Sequence, residues 1–398
     1  MERSEDLFVR DKVLFILSLA CAALSLLSCE ADDGGAGDDD SSGRVSYRII
    51  GVEVESHVTY KVANPAFPFL TGDLWPCAWG QDGRLYVANG DGVGFGVVWG
   101  DIVFSVLEGF PPHMAGYTPP LAVGEVIAGK WGPETRKVSR KPTGMTCRDG
   151  AIYLFFQNLK NVLSGNEFGD APHASISVTR DGGLTWHYDR SKPMFTDHVF
   201  TTGFFLDFGK CQEYAIDDSV YIYGLDYNWR FSNNFSQFNL YLARVERGSI
   251  LGREAWEFFA GFHDGRPAWS PDIDFKVAVI EDETLYCGYQ SGIAQGSVIY
   301  IPQLNRYLYS TWAECAWIFY EARNPWGPWT KVTTIDWNEH GLDEGQFGGY
   351  ATVIPTTFLD ADGRGGWIVS SLLGLFDNRY YNFGMRRFRL KVGEGPEG

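Results

Sequence analysis

Asp73 and Asp91 bracket the stretch TGDLWPCAWGQDGRLYVANGDG, residues 71–92, which reads as one β-hairpin. Its polar turn falls at Gln81–Gly83, and each acid stands nine residues from Asp82. In an antiparallel hairpin, positions equidistant from the turn come back together. The spacing therefore predicts both carboxylates at one mouth of the hairpin. Asp91 sits between Gly90 and Gly92, so its backbone can approach a ligand closely. Two carboxylates at one mouth suit cleavage of a glycosidic bond. One, protonated, donates to the leaving oxygen; the other, ionised, activates water or attacks the sugar carbon. Burial and mutual repulsion push their pKa values apart and so create the two roles. Trp75 and Trp79 on the entering strand offer flat faces to sugar rings. The same residues also fit a plainer pattern, with solvated strand-end aspartates and packing tryptophans.

Such a hairpin needs a scaffold, and the rest of the chain repeats it. WGQDGRLYVANGD, MTCRDGAIYLFFQN, EYAIDDSVYIYGLD, IPQLNRYLYSTW and FLDADGRGGWIVSS each place a polar turn between an entering strand and an aromatic strand. The turns fall at Asp82, Asp149, Asp217, Asn305 and Asp362, with gaps of 67, 68, 88 and 57 residues. Asp-Gly and Asn turns supply the positive φ that tight hairpins need. IEDETLYC, near Asp282, reads as a further hairpin of the same kind. A second series closes turns with Trp186, Trp256 and Trp329, spaced by 70 and 73 residues. Two hairpins per unit make four strands, and five such units predict an all-β, five-bladed β-propeller with four-stranded antiparallel blades. The early strand YRIIGVEVE or the late strand FRLKV is expected to complete the last blade and hide its edge. TRDGGLTW, around Asp181, resembles the structural Asp-box of sialidase-like propellers.

In a propeller the innermost strands line a central channel, and their entry ends converge on one face. The candidates for substrate contact on those strands are Trp75 and Trp79, Lys141 and Thr143, Asp207 and Lys210, Gln295, and Tyr350 with Thr352. His198 is a further polar candidate beside the channel.

The motifs GDLWPCAWGQDGRLYVANGDG, KPTGMTCRDGAIYLFF, LDFGKCQEYAIDDSVYIYG, GSVIYIPQLNRYLYSTW and FYEARNPWGPWTKV resemble, in that order, a bacterial family of five-bladed propellers. It was long known as a domain of unknown function, and some members are endo-D-arabinanases acting on the arabinan of mycobacterial cell walls. The resemblance spans roughly residues 65–390. It implies that Asp73 and Asp91 are the catalytic acid and base, and that the substrate is arabinan or a related furanose polymer.

Three other readings stay open. A sialidase-type exo-enzyme needs arginines on the entering strands to clamp a carboxylate. The stretches 72–80, 141–147, 203–210, 295–301 and 349–356 hold none. A polysaccharide lyase needs a base and a cation, for which Tyr350, His198 and Lys210 could be assembled. A non-catalytic glycan-binding lipoprotein needs neither.

The 398-residue chain is 16% aromatic, with 47 glycines, which favours short strands and tight turns. Its net charge of −17 argues against a nucleic-acid partner, which requires clustered Lys and Arg. Residues 1–29 read as an export signal whose apolar run VLFILSLACAALSLL ends in LLSC, resembling a lipobox. Cys29 is then the lipidated residue, anchoring an exported bacterial protein at the periplasmic or cell-surface side of a membrane. Residues 30–45, acidic and rich in Gly and Ser, read as a flexible tether. Residues 46–393 read as the propeller and 394–398 as a disordered tail. No CxxC motif or Cys/His cluster points to zinc. The five cysteines after the tether leave at least one unpaired. The chain is read as a monomer whose partner is a polysaccharide or oligosaccharide, without metal or cofactor.

Overall fold

The turns marked by aspartate and glycine are where the chain reverses. Asp149 (φ +50°) and Gly150 (φ +75°) form a two-residue loop joining Arg148 directly to its pair Ala151, the backbone that matches strand twist. Asp82 accepts hydrogen bonds from the Arg84 amide (3.1 Å) and the Tyr86 hydroxyl (2.7 Å). Asp217 repeats this with the Ser219 amide and the Tyr221 hydroxyl, both at 2.7 Å. The second series is equally regular. The indole N–H of Trp186 donates to Gly183 O, that of Trp256 to Ile250 O and that of Trp329 to Pro325 O. Asp181 accepts from Thr185 N at 2.9 Å and Thr185 Oγ1 at 2.6 Å, a turn-building role. One expected hairpin is absent: the strand before Asp282, Ala278–Glu281, pairs back with Asn239–Glu246 instead.

The computed structural model describes residues 47–56, 60–62, 64, 66, 71–133, 135–160, 170–228, 238–288, 290–337, 347–373 and 382–394. The signal, Cys29 and nearly all of the tether and tail lie outside them. Among the described residues the chain is all-β, with only short 3₁₀ turns besides strands. Residues Val45–Gly398 form one unit.

The strands gather into antiparallel stacks. The first is Cys77–Trp79, Leu85–Gly92, Gly100–Phe110 and His113–Tyr117. The second is Val138–Arg148, Ala151–Lys160 and His173–Thr179, flanked by isolated bridges to His187 and Phe195 rather than a full fourth strand. The third begins with Thr202–Asp207, Ser219–Leu225, Asn239–Glu246 and Glu257–His263. The fourth is Ser297–Ile301, Arg306–Ala313, Ala316–Ala322 and Thr330–Asp336. A short parallel pairing, Leu206 with Val298 and Asp207 with Ile299, fuses these two into one sheet. The fifth is Phe347–Val353, Gly365–Leu373, Phe383–Glu394 and, from the start of the unit, Tyr47–Val54. Early and late strands thus pair with each other, Tyr47 opposite Glu394 and Val54 opposite Phe388.

Burial explains the order. Side chains alternate across each strand, and every stack offers an apolar face to the stack before it and another to the stack after it. Ala88 and Phe104 pack against Met145 and Leu154 between the first and second stacks. Phe155 meets Phe205 and Ile222 between the second and third. Leu206 and Tyr223 meet Tyr309 and Ile318 between the third and fourth, and Ile299 and Trp317 meet Ile368 and Leu390 between the fourth and fifth. A last core, with Trp75 and Val87 against Val369 and Met385, joins the fifth stack back to the first. The first-listed strand of each stack is its innermost. Together they line a narrow cavity of about 20 Å³, room for about one water.

Candidate active site

Asp73 enters the first innermost strand through a kink. The Trp75 amide donates to Asp73 O at 3.0 Å while Leu74 holds φ +74°, which makes a γ-turn. Cys77 pairs with Val87, yet Asp73 pairs with Gly90. The entering strand therefore carries one residue more than its partner, a bulge. Without it Asp73 would face Asp91 directly; with it Asp73 faces Gly90, and Asp91 follows one residue on. Both acids still reach the same mouth. Asp91 itself is left-handed, at φ +43°. Non-glycine residues held there store strain of the kind found at functional sites.

Gly90 is the residue that lets the groups gather. A Cβ there would lie 2.5 Å from Asp73 Oδ1 and 3.2 Å from Lys141 Nζ. Lys141, buried, extends from the second innermost strand and forms an ion pair with Asp91. Its ammonium thus stands beside both carboxylates. Tyr350, from the fifth innermost strand, donates its hydroxyl to Asp73 Oδ2 at 2.6 Å. Asp73 is 6% exposed, and its Oδ1 is buried without a hydrogen-bond partner. Burial pushes the Asp91 carboxyl above its ordinary value; Lys141 opposes this and the charge of Asp73 adds to it. Gln295 stands at the same level before the fourth innermost strand. Its Nε2 donates to Pro142 O at 3.2 Å and its Oε1 is unpartnered. Thr201 Oγ1 and Thr352 Oγ1 are buried and unpartnered as well. Unsatisfied buried polar atoms are expensive, and these belong to residues in or just before four of the five innermost strands.

Thr143 lies just below, its hydroxyl donating to Gly203 O at 2.6 Å. His198 is on this face too, in the loop leading to Thr202–Asp207. It is paired with Asp170 at 2.5 Å and stacked on Tyr227 with ring centroids 4.5 Å apart.

Four expected contacts lie elsewhere. Trp75 is 0% exposed and packs on Phe95 and Phe383, because the bulge turns it into the core between the first and fifth stacks. Trp79 ends its strand opposite Leu85, beside the Asp82 turn and away from the mouth. Asp207 ends the third innermost strand, so the strand direction carries it to the far end of the cavity. There it accepts from Gly209 N (2.9 Å) and Thr356 Oγ1 (2.8 Å). It is half-buried by surface exposure, yet its carboxyl is closely walled by protein, and that burial pushes it up to about 6. Lys210 follows in a 3₁₀ turn at the same end. Tyr350, His198 and Lys210 are therefore not assembled as a lyase would need.

The sequence reading missed Gln157 and Thr202. Gln157 pairs with Lys141 across the second hairpin and accepts from Thr202 Oγ1 at 2.7 Å. Counting outward from Asp149–Gly150 would have found Gln157. Cys147–Cys211 and Cys287–Cys315 are disulfides, and the Cys77 thiol is free and buried.

The sequence matches no family model and no curated protein. Among solved structures, a Bacteroides ovatus protein provisionally called a hydrolase is similar with a TM-score of 0.51 and 11% identity, over 83% of this chain and 87% of that one. At that identity the likeness is one of fold. An exo-β-1,3-galactanase from Phanerochaete chrysosporium (TM-score 0.45, 9% identity, 87% of this chain and 64% of that one) is similar at a lower level. So is an arabinanase from Bacillus subtilis (TM-score 0.42, 8% identity, 85% and 96%). Neither of these two carries an argument.

Proposed function

We propose that the chain is a glycoside hydrolase built on a five-bladed propeller, cleaving arabinan or a related furanose-containing polysaccharide at the mouth formed by Asp73 and Asp91. The observation that carries this is the gathering of two carboxylates around one buried ammonium, on the face where the innermost strands begin. The five stacks, joined through five cores that return to the first, support the propeller. Asp91, raised by burial and half-exposed, is the general acid. Asp73, oriented by Tyr350 and with Oδ1 free of partners, is the anion that attacks the sugar carbon or activates water. Lys141 balances the pair and offers a donor to sugar hydroxyls. Export and anchoring through acylated Cys29 belong to the same proposal and would bring the site to extracellular glycans.

The test is incubation of the full chain with arabinans, galactans, xylans and uronate polymers, reading new reducing ends and unsaturated products. Release of short arabinose oligomers, lost in Asp73→Asn and in Asp91→Asn, is the expected result. Glycan binding without turnover in parent and variants alike would convert the proposal to a binding protein.

A further inference from the structure

The loop that follows Asp91 has a fixed base and an apolar tip. Gly94 N donates to Thr71 O at 2.8 Å, and Asn64 Nδ2 donates to the carbonyls of Gly94 and Gly96 at 3.0 and 2.9 Å. Phe95 N donates to Thr118 Oγ1 at 3.1 Å, and the Phe95 ring is buried against Trp75. Beyond this anchor Val97, Val98 and Trp99 are 67%, 59% and 56% exposed. Leaving an apolar side chain in water forgoes the gain of burying it. Nothing in the anchored backbone forces three in a row to do so.

Register places this tip at the mouth. Gly90 pairs with Ile102 and Gly92 with Gly100, so Asp91 faces Asp101 across the hairpin and their side chains share a side. Trp99 immediately precedes Gly100, the first residue of that strand and the partner of Gly92, so it stands beside the end of the hairpin that carries Asp91 and Asp101. Charged groups continue outward from the acids at this end of the hairpin. Lys141 pairs with Asp91, and Arg140 and Lys130 both pair with Asp101, at 3.1 and 3.0 Å. A flat apolar face bordered by fixed charged donors and acceptors matches a sugar ring, which presents C–H groups on its faces and hydroxyls at its rim. A rigid loop also binds without a large ordering cost.

We infer that Trp99 is the platform of an accessory sugar-binding subsite, holding units of the polymer beyond the bond cleaved between Asp73 and Asp91. This rests on the proposed glycosidase reading and extends it to chain-length preference. The test uses the full chain and its Trp99→Ala and Trp99→Phe variants. Leu184→Ala serves as control, because Leu184 is 57% exposed but lies on the turn at the far end. Affinity electrophoresis in gels containing soluble arabinan, run in the Asp73→Asn background, reads binding apart from turnover. The apparent Kd should weaken about tenfold with Trp99→Ala, recover largely with Trp99→Phe and stay put with Leu184→Ala. In active protein, KM on arabinan should rise about tenfold with kcat changed less than twofold, and KM on an arabinose disaccharide glycoside should not move. Unchanged arabinan binding in Trp99→Ala overturns the subsite, as does a parent chain that binds no polymer in the panel. Weakened binding in Trp99→Ala, with no turnover by the parent, keeps the subsite and removes the glycosidase.

Discussion

Two aspartates stand at opposite ends of the innermost strands, and their surroundings treat them in opposite ways. At the far end Asp207 ends a regular strand, and each of its oxygens accepts from a local donor, Gly209 N or Thr356 Oγ1. At the mouth Asp73 is presented by a γ-turn, shares one oxygen with Tyr350 and leaves the other unpartnered beside Lys141. Left-handed non-glycine backbone occurs at both ends, in Leu74, Trp75, Asp91 and Ala351 near the mouth and in Cys211 and Gln212 near Asp207. An acid whose two oxygens are both satisfied caps a structure. A buried acid with an unsatisfied oxygen is available to a ligand. Burial alone does not separate the two cases; the hydrogen-bond inventory does.

The contrast can be broken most directly at Asp73. Asp73→Asn keeps the shape and removes the anion, so reducing-end release should fall by about 10³-fold or more with the thermal midpoint little changed. A variant retaining a tenth of parental activity would remove Asp73 from the chemistry. Tyr350→Phe deletes only the orienting hydrogen bond and should cost about 10–100-fold in kcat. Lys141→Met sharpens the acid assignment through a pH profile. Lys141 holds the Asp91 carboxyl down against burial, so its loss raises that group further, and the alkaline limb of kcat/KM should move to higher pH. An alkaline limb that stays in place while the acid limb moves up would exchange the roles of the two acids.

Asp207 should behave differently. Its carboxyl is raised to about 6 in the folded chain, whereas the unfolded chain titrates near the ordinary carboxylate value of about 4. Between those values the native state keeps a proton that the unfolded state has lost, so stability falls as pH rises through the window. Asp207→Asn should flatten that fall, on the order of 1–3 kcal/mol by denaturant titration at pH 4 and pH 7, with activity within twofold of parent. The smallest effect is expected at Trp186→Phe. This removes the N–H donated to Gly183 O and should cost about 1 kcal/mol of stability without touching turnover.

Much of this was legible in the chain. The turn at Asp149–Gly150 follows from residue type alone, because both positions need positive φ. The tryptophan series at Trp186, Trp256 and Trp329 marked the outer turns by spacing. The gathering of Asp73 and Asp91 followed from counting outward from Asp82, and Tyr350 and Lys141 followed from the convergence of entry ends. What escaped was the bulge. Leu74 and Trp75 carry no glycine or asparagine to announce left-handed backbone, yet that kink shifts the register by one and turns Trp75 from a mouth residue into core. Asp207 escaped for another reason. The motif LDFGK gives no sign of which end of its strand faces the mouth; only the parallel pairing with Ser297–Ile301 orients it.

The strand Tyr47–Val54 has a mechanical consequence. Tyr47 lies opposite Glu394, where the last strand has run from the mouth side at Phe383 to the far end. With the first and last described strands laced together, neither edge can peel away alone, and any force that parts them must break that ladder of backbone hydrogen bonds.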